Sequence, residues 1–267
     1  MALVLPYIVV ASIGGAPFSA VSGDGSTYVF SNISESENND ECTDWHTSSY
    51  ELDDLLGGIF DEALCYEVMS FAGSVVDVTN AFSDSGFETS VVTEGATWGP
   101  DTSAFSRHDY DCRIVFDSAV QRRVKIDLSM YADGLGSVWL DLQRIGDAGG
   151  GGSSSPELID ESVNAYIEPI TFDGSWVLNI PQGRWKVFIY STHQCIIPSK
   201  GFGTSVVTLS FSVNIVSDGD VDGNGEVNAT DLLAVIAAWG VCGSCIEDLN
   251  GDGVVDVADV LIVVGNW

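Results

Sequence analysis

Two acidic, glycine-rich stretches near the end of the chain carry the clearest chemistry in the sequence. One of them, Asp248 to Asp259, reads DLNGDGVVDVAD and places acids and an Asn on alternate positions of a turn. The chain already has a formal net charge of −30. Like charges held this close repel one another by on the order of a few kcal/mol in a protein-like dielectric. The spacing therefore indicates a bound cation.

The same pattern occurs twice, with an offset of 28 residues. Asp220 to Trp239 reads DVDGNGEVNATDLLAVIAAW, and Asp248 to Trp267 reads DLNGDGVVDVADVLIVVGNW. Either stretch alone could be an acidic turn that binds nothing. Two matches in register, each followed by an apolar segment that ends in Trp, indicate a duplicated structural unit.

Each copy contains a twelve-residue loop with the ligand spacing of a Ca²⁺ site. Such a loop offers side chains at positions 1, 3, 5 and 9, a carbonyl at position 7 and a carboxylate at position 12. The predicted ligands of the first loop are Asp220, Asp222, Asn224, the Glu226 carbonyl, Asn228 and Asp231. Those of the second loop are Asp248, Asn250, Asp252, the Val254 carbonyl, Asp256 and Asp259. We predict two Ca²⁺ ions and loops that become ordered only when metal is bound.

Two further positions of the loops have structural roles. Gly225 and Gly253 occupy position 6, where the chain turns into conformations that a Cβ obstructs. Val227 and Val255 occupy position 8, and we expect them to pair the two loops through a short β-contact.

A loop followed by a single helix, twice, with Asp at position 12, resembles the type I dockerin family. The resemblance covers Asp218 to Trp267, and the VCGSC between the copies is similar to a Gly-Cys-containing variety found in secreted bacterial proteins. It implies Ca²⁺-dependent folding and docking to a cohesin-like receptor or another component of the cell envelope. The helices LLAVIAAW and VLIVVGNW depart from the family pattern because they almost lack polar side chains. We expect part of their surface to pack on the neighbouring domain or on a partner.

Composition restricts the classes of partner. The chain has 39 acids against 9 basic residues, and all nine lie between Arg107 and Lys200. Such an acidic surface repels nucleic acid and anionic lipid, so neither is expected as a partner. The first twenty residues are apolar and then small, which indicates a cleaved export signal over 1–20, although no Lys or Arg precedes the apolar run. We therefore expect a secreted or cell-surface protein with no membrane span in its mature chain.

The six cysteines are compatible with an oxidising compartment, but their pairing cannot be read from the sequence. Cys242 and Cys245 form a CxxC, but no second CxxC or cluster of histidines stands nearby to complete a zinc site. Either a tight disulfide or two inert thiols is therefore expected.

Residues 21–216 predict an all-β sandwich, resembling a jelly roll, which is followed by a small all-α dockerin-like domain at 218–267. Apolar and polar residues alternate with the period of a half-buried strand. The alternating segments are 124–130, 138–142, 176–180, 185–189 and 207–215, with a tight turn at PQGR. The stretch 147–157 is linker-like, and we interpret it as a long loop inside one domain rather than a domain boundary. Residues 50–71 fit a helix and a strand equally well.

No catalytic set is evident. His193 and Cys195 in THQC share a strand face and could form a nucleophile and base, but a structural Cys beside a surface His is the simpler interpretation. Trp139 is out of phase with Val138 and Leu140, so it points to the opposite face, where it either stacks on a sugar ring or lies under a second sheet. Three hypotheses follow: a non-enzymatic tethered protein, a carbohydrate-binding accessory, and a glycoside hydrolase acting on polysaccharide.

Overall fold

The computed structural model describes residues 18–267 except 35–40, 68–69, 84–85, 100–102, 119–121, 147–156, 167, 198–200 and 243–244. Twelve long strands occupy residues 18–215 of this described part. They are β1 (Phe18–Ser34), β2 (Glu41–Glu51), β3 (Ile59–Glu67), β4 (Ser70–Phe82), β5 (Gly86–Gly99), β6 (Ser103–Ser118), β7 (Arg122–Asp133), β8 (Leu135–Gly146), β9 (Glu157–Ala165), β10 (Ile170–Ile180), β11 (Gly183–Ile197) and β12 (Gly201–Ile215).

The strands form two antiparallel sheets of six strands each. The first sheet has the order β2-β1-β6-β11-β8-β9, and the second sheet has the order β10-β7-β12-β5-β4-β3. The chain is therefore mostly β-structure, in agreement with the β-sandwich that the alternating segments predict.

The core lies between the two sheets, because every second residue of each strand points inward. Val124, Ile126 and Leu128 of β7 are buried, while Lys125 and Asp127 between them face outward. Aromatic rings pack in this core: the Phe87 ring on β5 lies 6.5 Å from that of Phe116 on β6, across the two sheets, and 6.2 Å from that of Phe211 on the neighbouring β12. Most of this inward set forms one apolar cluster, and a second, smaller cluster contains Ile33, Cys65, Ala72 and Ala104.

Two segments that the sequence left open are settled by the structure. Residues 50–71 are helical only over α1 (Leu52–Gly57) and then continue as β3. Gly58, with φ of 86°, separates the two elements in a conformation that a residue with a Cβ rarely adopts. Strands β8 and β9 pair with each other, so both flanks of the linker-like stretch belong to the first sheet, while 147–156 lie outside the described residues.

Most of the expected export signal also lies outside the described residues. Its last three residues, Phe18 to Ala20, open β1 and pair with 116–118 of β6. Among the described residues, no helix combines the length and the apolar character needed to cross a membrane.

Two disulfides are present, Cys42–Cys65 and Cys242–Cys245. The first joins the start of β2 in the first sheet to β3 in the second sheet. The CxxC is therefore an internal disulfide, one of the two expected outcomes. Cys112 and Cys195 are free and buried.

The end of the chain contains α2 (Ala229–Ala237), β13 (Gly240–Val241), β14 (Val254–Val255) and α3 (Val257–Gly265). Val235 of α2 and Val263 of α3 are fully buried against Val221 and Val255 in a small separate core. The expected pairing of Val227 with Val255 is wrong: Val255 pairs with Gly240, and the N–H of Cys242 donates to the carbonyl of Gly253 at 2.9 Å. The chain leaving α2 turns back at Gly240, with φ of 127°, and its backbone occupies the edge that Val227 was expected to fill.

Candidate metal centre

The two acidic loops each end in a helix whose first residues are also predicted metal ligands. Asn228 and Asp256 are the N-caps of α2 and α3, and each accepts a hydrogen bond from the N–H two residues on. Asp231 and Asp259 occupy the third helical position and accept the N–H of the capping residue at 2.8 Å. These are capping boxes, which satisfy helix donors that would otherwise lack a partner. Positions 9 and 12 of each loop therefore have a structural role in addition to any role as ligands.

The carboxylates of Asp220 and Asp231 hold the first loop in shape by accepting backbone N–H groups. Asp220 Oδ1 accepts from Gly223 at 2.8 Å, and Asp220 Oδ2 accepts from Gly225 at 2.9 Å. Asp231 Oδ1 accepts from Val221 at 2.7 Å. Gly223 and Gly225 have φ of 70° and 91°, values that favour glycine. The chain thus wraps around two acids whose oxygens point to its centre.

The second loop repeats this arrangement bond for bond. Asp248 takes the place of Asp220, and Asp259 takes the place of Asp231. Nine equivalent hydrogen bonds occur in both loops, and no pair differs by more than 0.2 Å. Sequence differences at positions 3, 5, 7 and 9 leave this framework unchanged, so it belongs to the repeated unit.

The first loop brings three predicted ligands together. One carboxylate oxygen from each of Asp220, Asp222 and Asp231 lies within 4.8 Å of the other two. Oxygens that bind one Ca²⁺ at 2.3–2.6 Å must lie within about 5 Å of one another. The spacing and the hard-oxygen donors fit that ion. In the second loop position 3 is Asn250, whose amide oxygen is also a Ca²⁺ ligand type.

The remaining predicted ligands lie around these clusters. The Asn224 amide donates to Asp222 at 2.9 Å, and the Asn250 amide donates to Asp252 at 3.0 Å, so positions 3 and 5 touch in both loops. The side chain of Glu226 is exposed, which agrees with a ligand that offers only its carbonyl. Val254 lies in β14, paired with Val241.

Four of these acids are buried in a part of the chain that has no basic residue. Asp220, Asp231, Asp248 and Asp259 are between 0% and 8% exposed. Residues 218–267 contain ten acids and no Lys, Arg or His. Burial alone would raise the pKa of Asp231, but N–H groups donated by Asn228, Asp222 and Val221 lower that pKa below its ordinary value. Each carboxylate has about four acceptor sites, and the backbone occupies three of those on Asp231, which leaves capacity for a cation.

One cation of the sandwich reaches this region. The Arg123 guanidinium on β7 donates to the carbonyl oxygens of Val221 at 2.6 Å and of Ile246 at 2.7 Å. Burial lowers the pKa of Arg123, while the nearby Asp220 and Glu247 oppose that shift. Sequence reasoning missed Arg123, because nothing local relates β7 to carbonyls about a hundred residues away.

His193 and Cys195 do not form a nucleophile and base. Both side chains are buried. The His193 ring packs against His108, with 4.0 Å between ring centroids, and burial lowers its pKa to about 3. The Cys195 thiol contacts the Thr97 hydroxyl at 3.2 Å, and burial raises its pKa. A neutral imidazole and an un-ionised thiol, both closed off from solvent, suit a structural role, although the histidine lies in the core rather than on the surface.

A scan against protein-family models finds no match, and a search of curated proteins finds none either. Among solved structures, the chain is similar to that of the infectious bursal disease virus Gt strain, with 11% identity, 74% of this chain and 63% of that chain covered, and a TM-score of 0.19. It is also similar to the structure of the Gx strain of the same virus, with 10% identity and a TM-score of 0.17; the match covers 82% of this chain and 73% of that chain. The chain thus spans less than two thirds of the first structure's length. No functional conclusion follows from these likenesses.

Proposed function

We propose that residues 218–267 form a dockerin-like unit that binds two Ca²⁺ ions and tethers a secreted or cell-surface β-sandwich to a cohesin-like receptor or another component of the cell envelope. The observation that carries the proposal is the repeat of nine loop hydrogen bonds around buried carboxylates in a region without basic residues. Burying a carboxylate costs several kcal/mol by rough estimate. Backbone N–H groups and the nearby Arg123 offset part of this cost, and we infer that a cation at each loop offsets the rest.

Bound Ca²⁺ would supply positive charge that offsets this cost. Asp220, Asp222, Asn224 and Asp231 would hold one ion, and Asp248, Asn250, Asp252 and Asp259 would hold the other, with Asn228 and Asp256 at position 9. The chain's own contribution is the backbone framework, whose N–H groups orient the carboxylates toward the centre of each loop. Loops of this kind couple metal binding to folding, so chelation is expected to loosen the unit.

The outer faces of α2 and α3 provide the surface for tethering. Leu233, Ile236 and Trp239 follow the first loop, and Leu261, Val264 and Trp267 follow the second at the same offset of 28 residues. All six side chains are exposed, from 49% to 65%. The inner faces of the helices pack on each other through Val235 and Val263. We call these six residues the paired apolar stripes; exposed apolar surface of this kind marks protein interaction sites.

We also propose that the sandwich is of the jelly-roll type. In support, the chain passes between the two sheets after β2, β5, β6, β7, β9, β10 and β11. Such repeated crossing is a property of jelly rolls and Greek keys. The proposal assigns no reaction to the sandwich.

The experiment is retention of the full chain on a native cell-envelope fraction with Ca²⁺ and with chelator. Wild type is expected to be retained with Ca²⁺ and released by chelator. The pair Asp231→Asn with Asp259→Asn, and the pair Leu233→Glu with Leu261→Glu, are each expected to abolish retention. The second pair leaves the loops intact, so it separates loss of the docking surface from loss of metal. Retention that ignores chelator or either pair contradicts the proposal.

A further inference from the structure

The outer face of the first sheet carries a concentration of aromatic side chains. Outward positions alternate with buried ones along each strand, and register-paired residues share a face. Seven aromatic residues lie on this face: Trp45 on β2, Tyr28 and Phe30 on β1, Phe105 on β6, Phe188 and Tyr190 on β11, and Trp139 on β8. We call them the aromatic face. The Trp139 side chain therefore does not lie under a second sheet.

The rings form two groups. In the first group, Phe30 stacks with Tyr28 at 6.4 Å between centroids, lies 5.6 Å from Phe105, and pairs in register with Trp45, which is 60% exposed. In the second group, Trp139 meets Phe188 edge-on at 5.4 Å. Trp139 also pairs in register with Tyr190 and is 37% exposed. Four strand intervals separate β2 from β8, a span of roughly 19 Å.

The charges on this face compensate one another in part. Four of the nine basic residues lie here, and each contacts an aspartate. The ion pairs are Arg107–Asp109 at 2.7 Å, Arg113–Asp24 at 3.8 Å, Arg184–Asp117 at 2.8 Å and Lys186–Asp141 at 3.5 Å. Glu51, Asp111 and Asp160 lie on the same face, so acids outnumber basic residues there and the face favours neutral over anionic ligands.

Polar side chains with hydrogen-bonding capacity lie between the rings. Thr192 and Gln194 project from β11 beside Asp109 and Arg107. Asp141 lies next to Phe188 and is only 3% exposed, and its Oδ2 accepts from Gln143 at 2.6 Å. Its Oδ1 has no hydrogen-bond partner among the described residues. The enclosed Oδ1 is out of reach of a ligand, so the half-buried Thr192 and Gln194 are the groups that ligand hydroxyls can contact.

We propose that the aromatic face binds a neutral polysaccharide chain, with Trp45 and Trp139 as its two stacking platforms. Sugar rings have apolar faces that stack on indoles and hydroxyl edges that bind carboxylates, amides and guanidinium groups. Trp139 is also displaced by four residues along the strands from the row of Trp45, so the two platforms lie roughly 23 Å apart, which suits a chain rather than a single sugar. The overall negative charge disfavours anionic glycans, nucleic acid and a second copy of the protein. The inference goes beyond tethering and does not depend on it.

The test measures binding of the full Ca²⁺-loaded chain to four neutral oligosaccharides: cellohexaose, xylohexaose, mannohexaose and chitohexaose. Binding is measured by tryptophan fluorescence and by calorimetry. Polygalacturonate serves as the anionic comparison. At least one neutral oligosaccharide is expected to bind. Trp45→Ala and Trp139→Ala are each expected to weaken that affinity about tenfold, the loss of one stacking contact. Trp139→Tyr keeps a ring and is expected to retain most of the affinity.

Trp98→Ala is the matched control, because Trp98 is 42% exposed on the second sheet, away from the aromatic face. It is expected to bind as wild type does. Circular dichroism and thermal unfolding identify any variant that fails to fold. Four results would overturn the proposal: no neutral oligosaccharide binds, polygalacturonate binds in preference, the alanine variants bind as wild type, or sedimentation shows a dimer that Trp139→Ala dissociates.

Discussion

The guanidinium of Arg123 lies 2.6 Å from the carbonyl oxygen of Val221, and this hydrogen bond ties the sandwich to the first acidic loop. A second bond from the same side chain reaches the carbonyl of Ile246, two residues before the second loop begins. The first loop also lies close to β10 at Gly223, since a Cβ at that position would lie 2.5 Å from the side chain of Val177. The end of the chain is therefore anchored on β7 and β10.

Arg123→Met is expected to lower the free energy of unfolding by about 2 kcal/mol, because two charge-assisted hydrogen bonds are lost. Urea unfolding and amide hydrogen exchange over 218–232 would measure the effect. Lys125→Met on the same strand is the control: its ion pair with Asp127, at 3.7 Å, is partly exposed and should contribute about 0.5 kcal/mol or less. Equal losses in the two variants would argue against the anchoring role of Arg123.

Asp231→Asn is expected to remove one of two bound Ca²⁺ ions, and Asp231→Asn with Asp259→Asn to remove both. The physical reason is the loss of a buried carboxylate that faces two other acids. Calorimetric titration after chelation counts the ions. Glu226→Gln is the control, because its side chain is exposed and position 7 offers only a carbonyl. A stoichiometry of two in Asp231→Asn would contradict the need for a carboxylate at position 12.

The sandwich is expected to lose stability as pH falls below about 6.5, the unfolded value for histidine. Burial lowers the pKa of His193 to about 3, and burial together with His193 and Arg107 lowers the pKa of His108. Between these values the histidines are protonated in the unfolded chain but neutral in the folded chain. The stability that they contribute is therefore fully present above about pH 6.5 and declines as the pH falls from there toward 3. His193 alone accounts for about 1.4 kcal/mol per pH unit across that window.

Urea unfolding at pH 7, 6, 5 and 4 would measure this decline. His193→Asn should show a shallower decline than wild type. His46→Asn, where the ring is exposed, should follow wild type. Parallel curves for wild type and His193→Asn would show that the buried ring does not control the acid response.

Cys112 and Cys195 are expected to resist thiol reagents in the native state. Burial raises the pKa of Cys112 to about 11 and also raises that of Cys195, and the thiolate is the reactive form. A thiol-specific chromogenic reagent should detect neither thiol in the native protein and both thiols in denaturant. Rapid modification of the native protein would show that this part of the core opens readily.

Much of the fold could be predicted from the alternation of apolar and polar residues in the second half of the sandwich. The inward positions are apolar from Val124 to Ala132 in β7 and from Val207 to Val213 in β12, so the period of two is plain in the sequence. In β1, β4, β5 and β6 several inward positions are polar, including Thr27, Ser74, Thr93 and Ser106. Buried hydroxyls interrupt the apolar alternation, which is why these strands are not evident from sequence.

The geometry of the acidic loops was predictable because it is local: the acids, the glycines and the helix caps of each loop all lie within twelve residues. Contacts between distant segments were not. The contact of Arg123 with Val221 joins distant segments of the chain, and the pairing of Trp45 with Phe30 on the aromatic face depends on strand register. No local pattern in the sequence encodes either contact. The wrong pairing of Val227 has the same cause, since the competing backbone at Gly240 lies outside both loops.

The most direct measurement is calorimetric titration of the chelator-treated full chain with Ca²⁺, with far-ultraviolet circular dichroism followed in parallel. The two-loop account predicts two ions per chain and a gain of helical signal as α2 and α3 become ordered. Binding of no ion, or an unchanged spectrum with and without chelator, would contradict it.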